Sequence, residues 1–120
     1  MIIEDDPMLG EVFNELLTTY GVESRHDRYV TEGLEFFKKN YERIAGVILD
    51  VKIPHSKCKD VLLELKKIDK EVKVLLTTGY GHTKEVDELL GLGAKSRFKP
   101  FQNTFEDAIS IIETEFDDNH

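Results

Sequence analysis

The segment from Gly46 to Asp50 sets the tightest limit on what this chain can fold into. It reads Gly-Val-Ile-Leu-Asp, and it is continuously apolar until the acid at its end. A strand with one face in water alternates apolar and polar residues, whereas a strand covered on both faces is apolar throughout. The segment therefore predicts a central strand of a parallel sheet with helices on both faces.

The rest of the chain repeats this arrangement, because short apolar runs alternate with longer stretches of helical periodicity. The predicted strands are Met1–Ile3, Val22–His26, Gly46–Asp50, Val72–Thr78 and Ser96–Phe98. The first predicted helix begins at Pro7 and ends before Gly21, and the second runs through Leu34 to about Asn40. The other three cover Val61–Ile68, Glu85–Leu90 and Phe105–Ile112. Five successive βα units with right-handed crossovers predict a doubly wound α/β fold.

Composition excludes several classes of function. The chain has 120 residues, which suits one domain spanning 1–120, and its formal net charge is −8. This charge argues against a nucleic-acid surface and against attraction to an anionic membrane. Cys58 is the only cysteine, so an internal disulfide and a cysteine-based metal site are excluded. No apolar run approaches the roughly 18 residues that span a bilayer, and a cytoplasmic location is expected.

Reactive side chains follow four of the five predicted strands. Acids end the first and third strands, hydroxyls end the fourth, and a lysine follows the fifth; they are Glu4, Asp5, Asp50, Thr77, Thr78 and Lys99. In open α/β sheets the functional crevice lies at the carboxyl ends of the strands. We therefore expect these side chains to meet at one edge of the sheet.

Such a group suits phosphoryl transfer. Three carboxylates held together repel one another unless a cation neutralises them, and Mg²⁺ prefers hard oxygen ligands with some of its waters retained. Asp50 could then act as a nucleophile that forms an aspartyl-phosphate. Lys99 could pair with phosphoryl oxygens, and the hydroxyl of Thr77 or Thr78 could donate a hydrogen bond to another.

Each of these residues also has an ordinary structural reading. An acidic trio before a proline often only complements a helix dipole, and Asp50 alone could be a cap or a loop acid. The threonines could be strand residues, and Lys99 could be solvated. The functional interpretation depends on all of them occurring at strand ends in the right order.

The motifs in their order along the chain resemble the receiver domain of bacterial two-component response regulators and hybrid kinases. They are Ile-Ile-Glu-Asp-Asp-Pro at 2–7, Val-Ile-Leu-Asp-Val-Lys-Ile-Pro at 47–54, Val-Leu-Leu-Thr-Thr-Gly-Tyr at 74–80, Gly-Ala at 93–94 and Lys-Pro-Phe at 99–101. The resemblance covers essentially the whole chain. It implies a flavodoxin-like sheet of strand order 2-1-3-4-5 with five helices.

The resemblance also implies a role for each site residue. Asp50 would be the phosphoacceptor, Thr78 the switch hydroxyl with Thr77 as the fallback, and Lys99 the phosphate-binding lysine. The Mg²⁺ ligands would be the side chains of Glu4, Asp5 and Asp50 and the backbone carbonyl of Lys52, and Asp6 would be a less critical third acid.

By the same resemblance, the chain would be a phosphorylation-activated switch in a phosphorelay. A histidine kinase or histidine phosphotransfer protein would phosphorylate Asp50, and the face formed by helix four, strand five and helix five would change its partner. That partner would be an effector domain or protein, or a second copy in a phosphorylation-dependent homodimer. A turnover phosphatase is disfavoured, because such enzymes usually place a second acid two residues after the nucleophile, where this chain has Lys52.

One alternative stays open, a receiver-like interaction module that is never phosphorylated. Two departures from the family pattern leave room for it. Cys58 stands where the family usually carries glycine, and the segment from Gly93 to Lys99 is one residue shorter than usual. The second departure also blurs which residue is the family's aromatic switch.

Overall fold

The computed structural model describes residues 1–52, 57–77, 84–94 and 96–98, together with positions 110 and 114. Its strands are β1 (Ile2–Ile3), β2 (His26–Asp27), β3 (Val47–Asp50), β4 (Val74–Thr77) and β5 (Ser96–Phe98). They form one parallel sheet of order β2-β1-β3-β4-β5. The predicted doubly wound, flavodoxin-like sheet and its strand order are confirmed.

Helices connect the strands as the βα pattern predicts. They are α1 (Pro7–Thr19), α2 (Val30–Asn40), α3 (Cys58–Ile68) and α4 (Lys84–Gly91), and a short 3₁₀ helix (Tyr41–Arg43) follows α2. The predicted fifth helix lies largely outside the described residues, although Ser110 and Thr114 are helical. None of the helices in the described ranges is long and apolar enough to cross a bilayer.

Both faces of the sheet are covered, as the apolar third strand predicts. Ile48 and Leu75 pack with Phe13 of α1 on one face. The alternate strand residues face the other way, where Leu49 and Leu76 pack in a larger cluster with residues of α2, α3 and α4. Burying side chains of this size contributes roughly 1.5–3 kcal/mol each. β3 is therefore held between two apolar layers, and its acidic end is held with it.

The second strand begins later in the chain than predicted. Val22 to Arg25 lie outside it, and β2 is the pair His26–Asp27, which aligns with Ile2 and Ile3 of β1. Val22 is 40% exposed and its N–H donates to the carbonyl of Leu17, so it completes the end of α1. The apolar signal at Val22 belongs to the helix terminus, which explains the error.

The start of α1 is built as its sequence indicates. Asp6 is the N-cap, and its Oδ1 accepts hydrogen bonds from the N–H groups of Met8 at 2.9 Å and Leu9 at 3.3 Å. Pro7 occupies the first turn, where a missing N–H costs nothing. At the other end, Gly21 has φ +81°, a conformation that favours glycine. This cap places the acids Glu4 and Asp5 between the end of β1 and the start of α1.

Candidate functional site

The carboxyl ends of β1 and β3 bring Glu4 and Asp50 into contact. Ile3 and Leu49 are paired in the sheet, so the next residue on each strand reaches the same edge. The side chain of Asp50 lies close enough to that of Glu4 for its hydrogen bonding and negative charge to raise the pKa of the Glu4 carboxyl. Glu4 is only 4% exposed, whereas Asp50 is half-buried and therefore accessible from solvent. Two of the predicted site residues thus form a partly closed acid pair.

Burial and the neighbouring acid change the chemistry of Glu4. Burial raises the pKa of its carboxyl, and the hydrogen bond and negative charge of Asp50 raise it further, to about 8. The N–H of Asp6 partly opposes this by donating to Glu4 Oε2 at 3.3 Å. In the metal-free protein the protonated form of Glu4 is therefore favoured far more than in an ordinary glutamate. A cation that bound here would favour the ionised form instead.

The loop after β3 orients the carboxylate of Asp50. The N–H of Lys52 donates to Asp50 Oδ1 at 3.0 Å, and the N–H of Val51 donates to the carbonyl of Thr77 at 3.0 Å. Lys52 Nζ lies 3.9 Å from Glu85 Oε2 of α4, so this side chain extends towards the helix. The Asp50 carboxylate is therefore oriented by a backbone N–H of the loop that follows it.

Asp5 and Asp6, the other two acids of the opening motif, have different surroundings. Asp5 is half-buried and its backbone carbonyl accepts a hydrogen bond from Arg28 Nε at 3.2 Å. Asp6 is exposed and caps α1. The cap gives Asp6 a structural role, and its lesser part in a metal site stays a prediction.

The hydroxyl and lysine predicted for phosphate binding, Thr78 and Lys99, lie outside the described residues. The residues that precede them in the chain, Thr77 and Phe98, are paired between β4 and β5, and Thr77 is also paired with Asp50. Thr77 is only 2% exposed. Its hydroxyl has little access to a ligand that arrives from solvent, which favours Thr78 over this fallback.

The acid pair fits a hard divalent cation. Across the described ranges, no three His, Cys, Asp or Glu side chains are grouped so that they could hold an ion between them. Mg²⁺ does not need such a group, because it typically binds one or two carboxylates and keeps several waters. A cation beside these two acids would offset the charge repulsion that raises the pKa of Glu4 and would favour its ionised form.

The first departure from the family pattern has a simple structural outcome. Cys58 is the first residue of α3, it is 1% exposed, and Lys57 before it is extended at φ −90°. A helical residue does not need the conformational freedom of glycine, so cysteine is accommodated at this position.

Two residues that contact the site were missed from the sequence. His26 and Arg28 both reach from β2 and its end to backbone carbonyls of the acidic segment. No motif or spacing in the sequence marks His26 or Arg28 as part of the site. The register of β2 against β1 is the signal that identifies His26, and that register is a property of the folded sheet.

Comparison with known proteins gives a consistent family. The family model for the response regulator receiver domain matches residues 1–109. Sporulation initiation phosphotransferase F of Bacillus subtilis is 30% identical over 102 residues, which cover 84% of this chain and 81% of that protein. Chemotaxis protein CheY of Thermotoga maritima is 27% identical over 104 residues, which cover 85% of each.

Solved structures agree with this fold. A response regulator receiver domain protein from Clostridium thermocellum superposes with a TM-score of 0.88 at 29% identity, over 96% of this chain and 90% of that one. CheY in the CheX-CheY-BeF3-Mg+2 complex from Borrelia burgdorferi superposes with a TM-score of 0.86 at 20% identity, over 97% and 87%. The second likeness concerns the fold alone.

Proposed function

This chain belongs to the response regulator receiver domain family of two-component signalling, and on that premise we propose that it is a switch activated by phosphorylation of Asp50. The observation that carries the proposal is the contact between Asp50 and the buried Glu4 at the carboxyl edge of the sheet. A solvent-accessible acid beside a second, largely buried acid is suited to accept a phosphoryl group when a cation offsets their charges.

The proposed reaction is an in-line transfer to the Asp50 carboxylate. A carboxylate oxygen forms a new bond to phosphorus while the P–N bond of a donor phosphohistidine breaks, and the histidine nitrogen keeps the electron pair. The N–H of Lys52 on Oδ1 holds the carboxylate in one orientation, which leaves less rotation to be lost as the reaction begins.

We propose that Mg²⁺ binds to the side chains of Glu4 and Asp50 and to the backbone carbonyl of Lys52, and that the ion draws in the side chain of Asp5, since among the described residues no three acids are grouped around a common point. Bound there, the ion would supply positive charge between the acceptor and the anionic phosphoryl group. Glu4 must release its proton for this to happen, because its pKa is raised to about 8 without a cation. Lys99 and Thr78 would contact phosphoryl oxygens after transfer.

The proposed partners follow from the relatives. One relative is named a phosphotransferase of sporulation initiation, which supports a phosphorelay with a histidine kinase or histidine phosphotransfer protein as the donor. The other is a chemotaxis protein, which supports an effector that reads the phosphorylated state. We propose that α4, β5 and the last helix form the effector face, and that a phosphorylated homodimer is one output. We also propose that the single domain 1–120 acts in the cytoplasm, as a switch without enzymatic turnover.

Incubation of the chain with acetyl phosphate and Mg²⁺, followed by intact-mass measurement, tests this function. We expect the mass of one phosphoryl group to be added, and we expect Asp50→Asn to abolish the gain. Asp60→Asn is the matched control, because Asp60 is an exposed acid in the first turn of α3 and undergoes the same change of charge.

Two results would contradict the proposal. Phosphorylation that persists in Asp50→Asn would place the acceptor elsewhere. No phosphorylation of the parent chain under conditions that preserve its fold would favour the receiver-like interaction module that is never phosphorylated.

A further inference from the structure

A histidine on the neighbouring strand is hydrogen-bonded to the backbone of the acidic segment. His26 Nε2 lies 2.8 Å from the carbonyl oxygen of Glu4, although 22 positions separate the two residues in the chain. A carbonyl oxygen can only accept, so Nε2 carries the hydrogen and donates it. The imidazole is half-buried between β2 and α1, where few other orientations are open to it.

Gly10 of α1 makes the space for this ring. A Cβ at position 10 would lie 2.1 Å from His26 Cε1 and Nε2 and 2.5 Å from Nδ1, distances that atoms not bonded to each other do not reach. Glycine within a helix is less favourable than alanine by roughly 1 kcal/mol. Its presence in α1 is therefore explained by contact with the imidazole and not by helix formation.

Further contacts hold the same short segment. The N–H of Glu4 donates to the carbonyl of Asp27 at 3.1 Å, and Arg28 Nε donates to the carbonyl of Asp5 at 3.2 Å. Together with the bond from His26, these contacts engage the N–H and the carbonyl of Glu4 and the carbonyl of Asp5. A backbone fixed in this way sets the directions in which the side chains of Glu4 and Asp5 leave it.

We propose that His26 is a positioning residue for the cation site and that Gly10 is its steric complement. Its hydrogen bond fixes the peptide between Glu4 and Asp5 and so limits the directions in which their carboxylates can point. Mg²⁺ demands near-ideal octahedral geometry, so its affinity is sensitive to these directions. This inference rests on the proposed function, because it assumes that these acids bind Mg²⁺.

Replacements at position 26 separate hydrogen bonding from packing. His26→Gln keeps an amide N–H donor near the position of Nε2, whereas His26→Leu keeps a comparable volume without a donor. Mg²⁺ affinity is measured by calorimetric titration of the full chain, and urea unfolding without Mg²⁺ reports stability separately. We expect about a tenfold loss of Mg²⁺ affinity in His26→Leu, the range found for partners that orient metal ligands, and recovery in His26→Gln to within about threefold of the parent.

Replacement of Gly10 supplies an independent test. Gly10→Ala should displace the imidazole and weaken Mg²⁺ binding, although alanine is the better helix former. In a His26→Ala background, adding Gly10→Ala should cause no further loss of Mg²⁺ affinity. Gly91→Ala is the matched control, since Gly91 is also helical and a Cβ there meets nothing within 4 Å.

The outcomes separate this inference from the proposed function. Parent-like Mg²⁺ affinity in His26→Leu would overturn the positioning role, and an equal loss in His26→Leu and His26→Gln would show that the ring acts by packing alone. In both cases phosphorylation of Asp50 in the parent chain would still support the proposed function. A parent chain that binds no Mg²⁺ would instead overturn the cation site, and this inference with it.

Discussion

The most direct consequence of the Glu4–Asp50 pair is a stability that depends on pH, and Glu4→Gln tests it. Because the pKa of Glu4 is raised from 4.5 to about 8, the folded protein keeps a proton that the unfolded chain releases at lower pH. Stability from this group is fully present below pH 4.5 and is lost as the pH rises from there through about 8. Glutamine stays neutral, and it can still hydrogen-bond to Asp50 and accept from the N–H of Asp6.

The size of the effect follows from the shift. One pKa unit corresponds to about 1.4 kcal/mol, so the shift of Glu4 sets an upper limit of roughly 5 kcal/mol. Relaxation and water entry lower the cost of a buried charge in real proteins, and we expect about 2 kcal/mol. The stability advantage of Glu4→Gln over the parent should therefore be below about 1 kcal/mol near pH 5 and should grow to about 2 kcal/mol near pH 9.5.

The assay is urea unfolding followed by circular dichroism from about pH 5 to about pH 9.5, with a chelator present to exclude divalent cations. Glu11→Gln is the matched control, because Glu11 is an exposed acid on α1. Adding Mg²⁺ should stabilise the parent more than Glu4→Gln at high pH, since only the parent can offer a carboxylate there. A difference between parent and Glu4→Gln that stays constant with pH would refute the reasoning.

Two further predictions concern the surroundings of the site. Asp6→Ala should lower the free energy of unfolding, measured in urea, by about 1 kcal/mol, because the N–H groups of Met8 and Leu9 lose their cap. Asp6→Asn should retain most of the parent's stability, because asparagine also caps helices. Equal stability of Asp6→Ala and the parent would contradict the capping role. Cys58 is 1% exposed, and burial, followed by the charges of Glu85 and Asp50, raises the pKa of its thiol to about 12. In the folded protein near pH 8, Cys58 should therefore react with a thiol-specific disulfide reagent only as fast as the protein opens. In urea it should react at once. Rapid reaction of the folded protein would show that α3 does not shield the thiol.

The local sequence pattern was sufficient to predict features that depend only on neighbouring residues and on burial. The apolar run of β3 requires cover on both faces, and Val47, Ile48 and Leu49 are at most 2% exposed. Asp6 before Pro7 is a cap signature that depends only on the following turn. The prediction that β2 begins at Val22 was wrong for a related reason, because an apolar residue beside a helix end satisfies the same local pattern as a strand residue.

Contacts between distant segments could be expected only in outline. The rule for parallel sheets brings Glu4 and Asp50 to one edge, but it does not say that Asp50 raises the pKa of Glu4 or that Glu4 is 4% exposed. The bond from His26 to the Glu4 carbonyl depends on the register of β2 against β1 and on the absence of a side chain at Gly10.

The sequence pattern by itself thus determined the parallel sheet with two covered faces and the identity of the acids at its edge, because burial pattern and strand ends are encoded residue by residue. The strand order was expected only from the resemblance to the family. Only the tertiary structure decided how those acids behave. The raised pKa of Glu4 and the orientation of its backbone by His26 both arise from segments that meet across the sheet. Electrostatic interaction and hydrogen bonding depend on distances of a few ångströms, which the register of the strands determines.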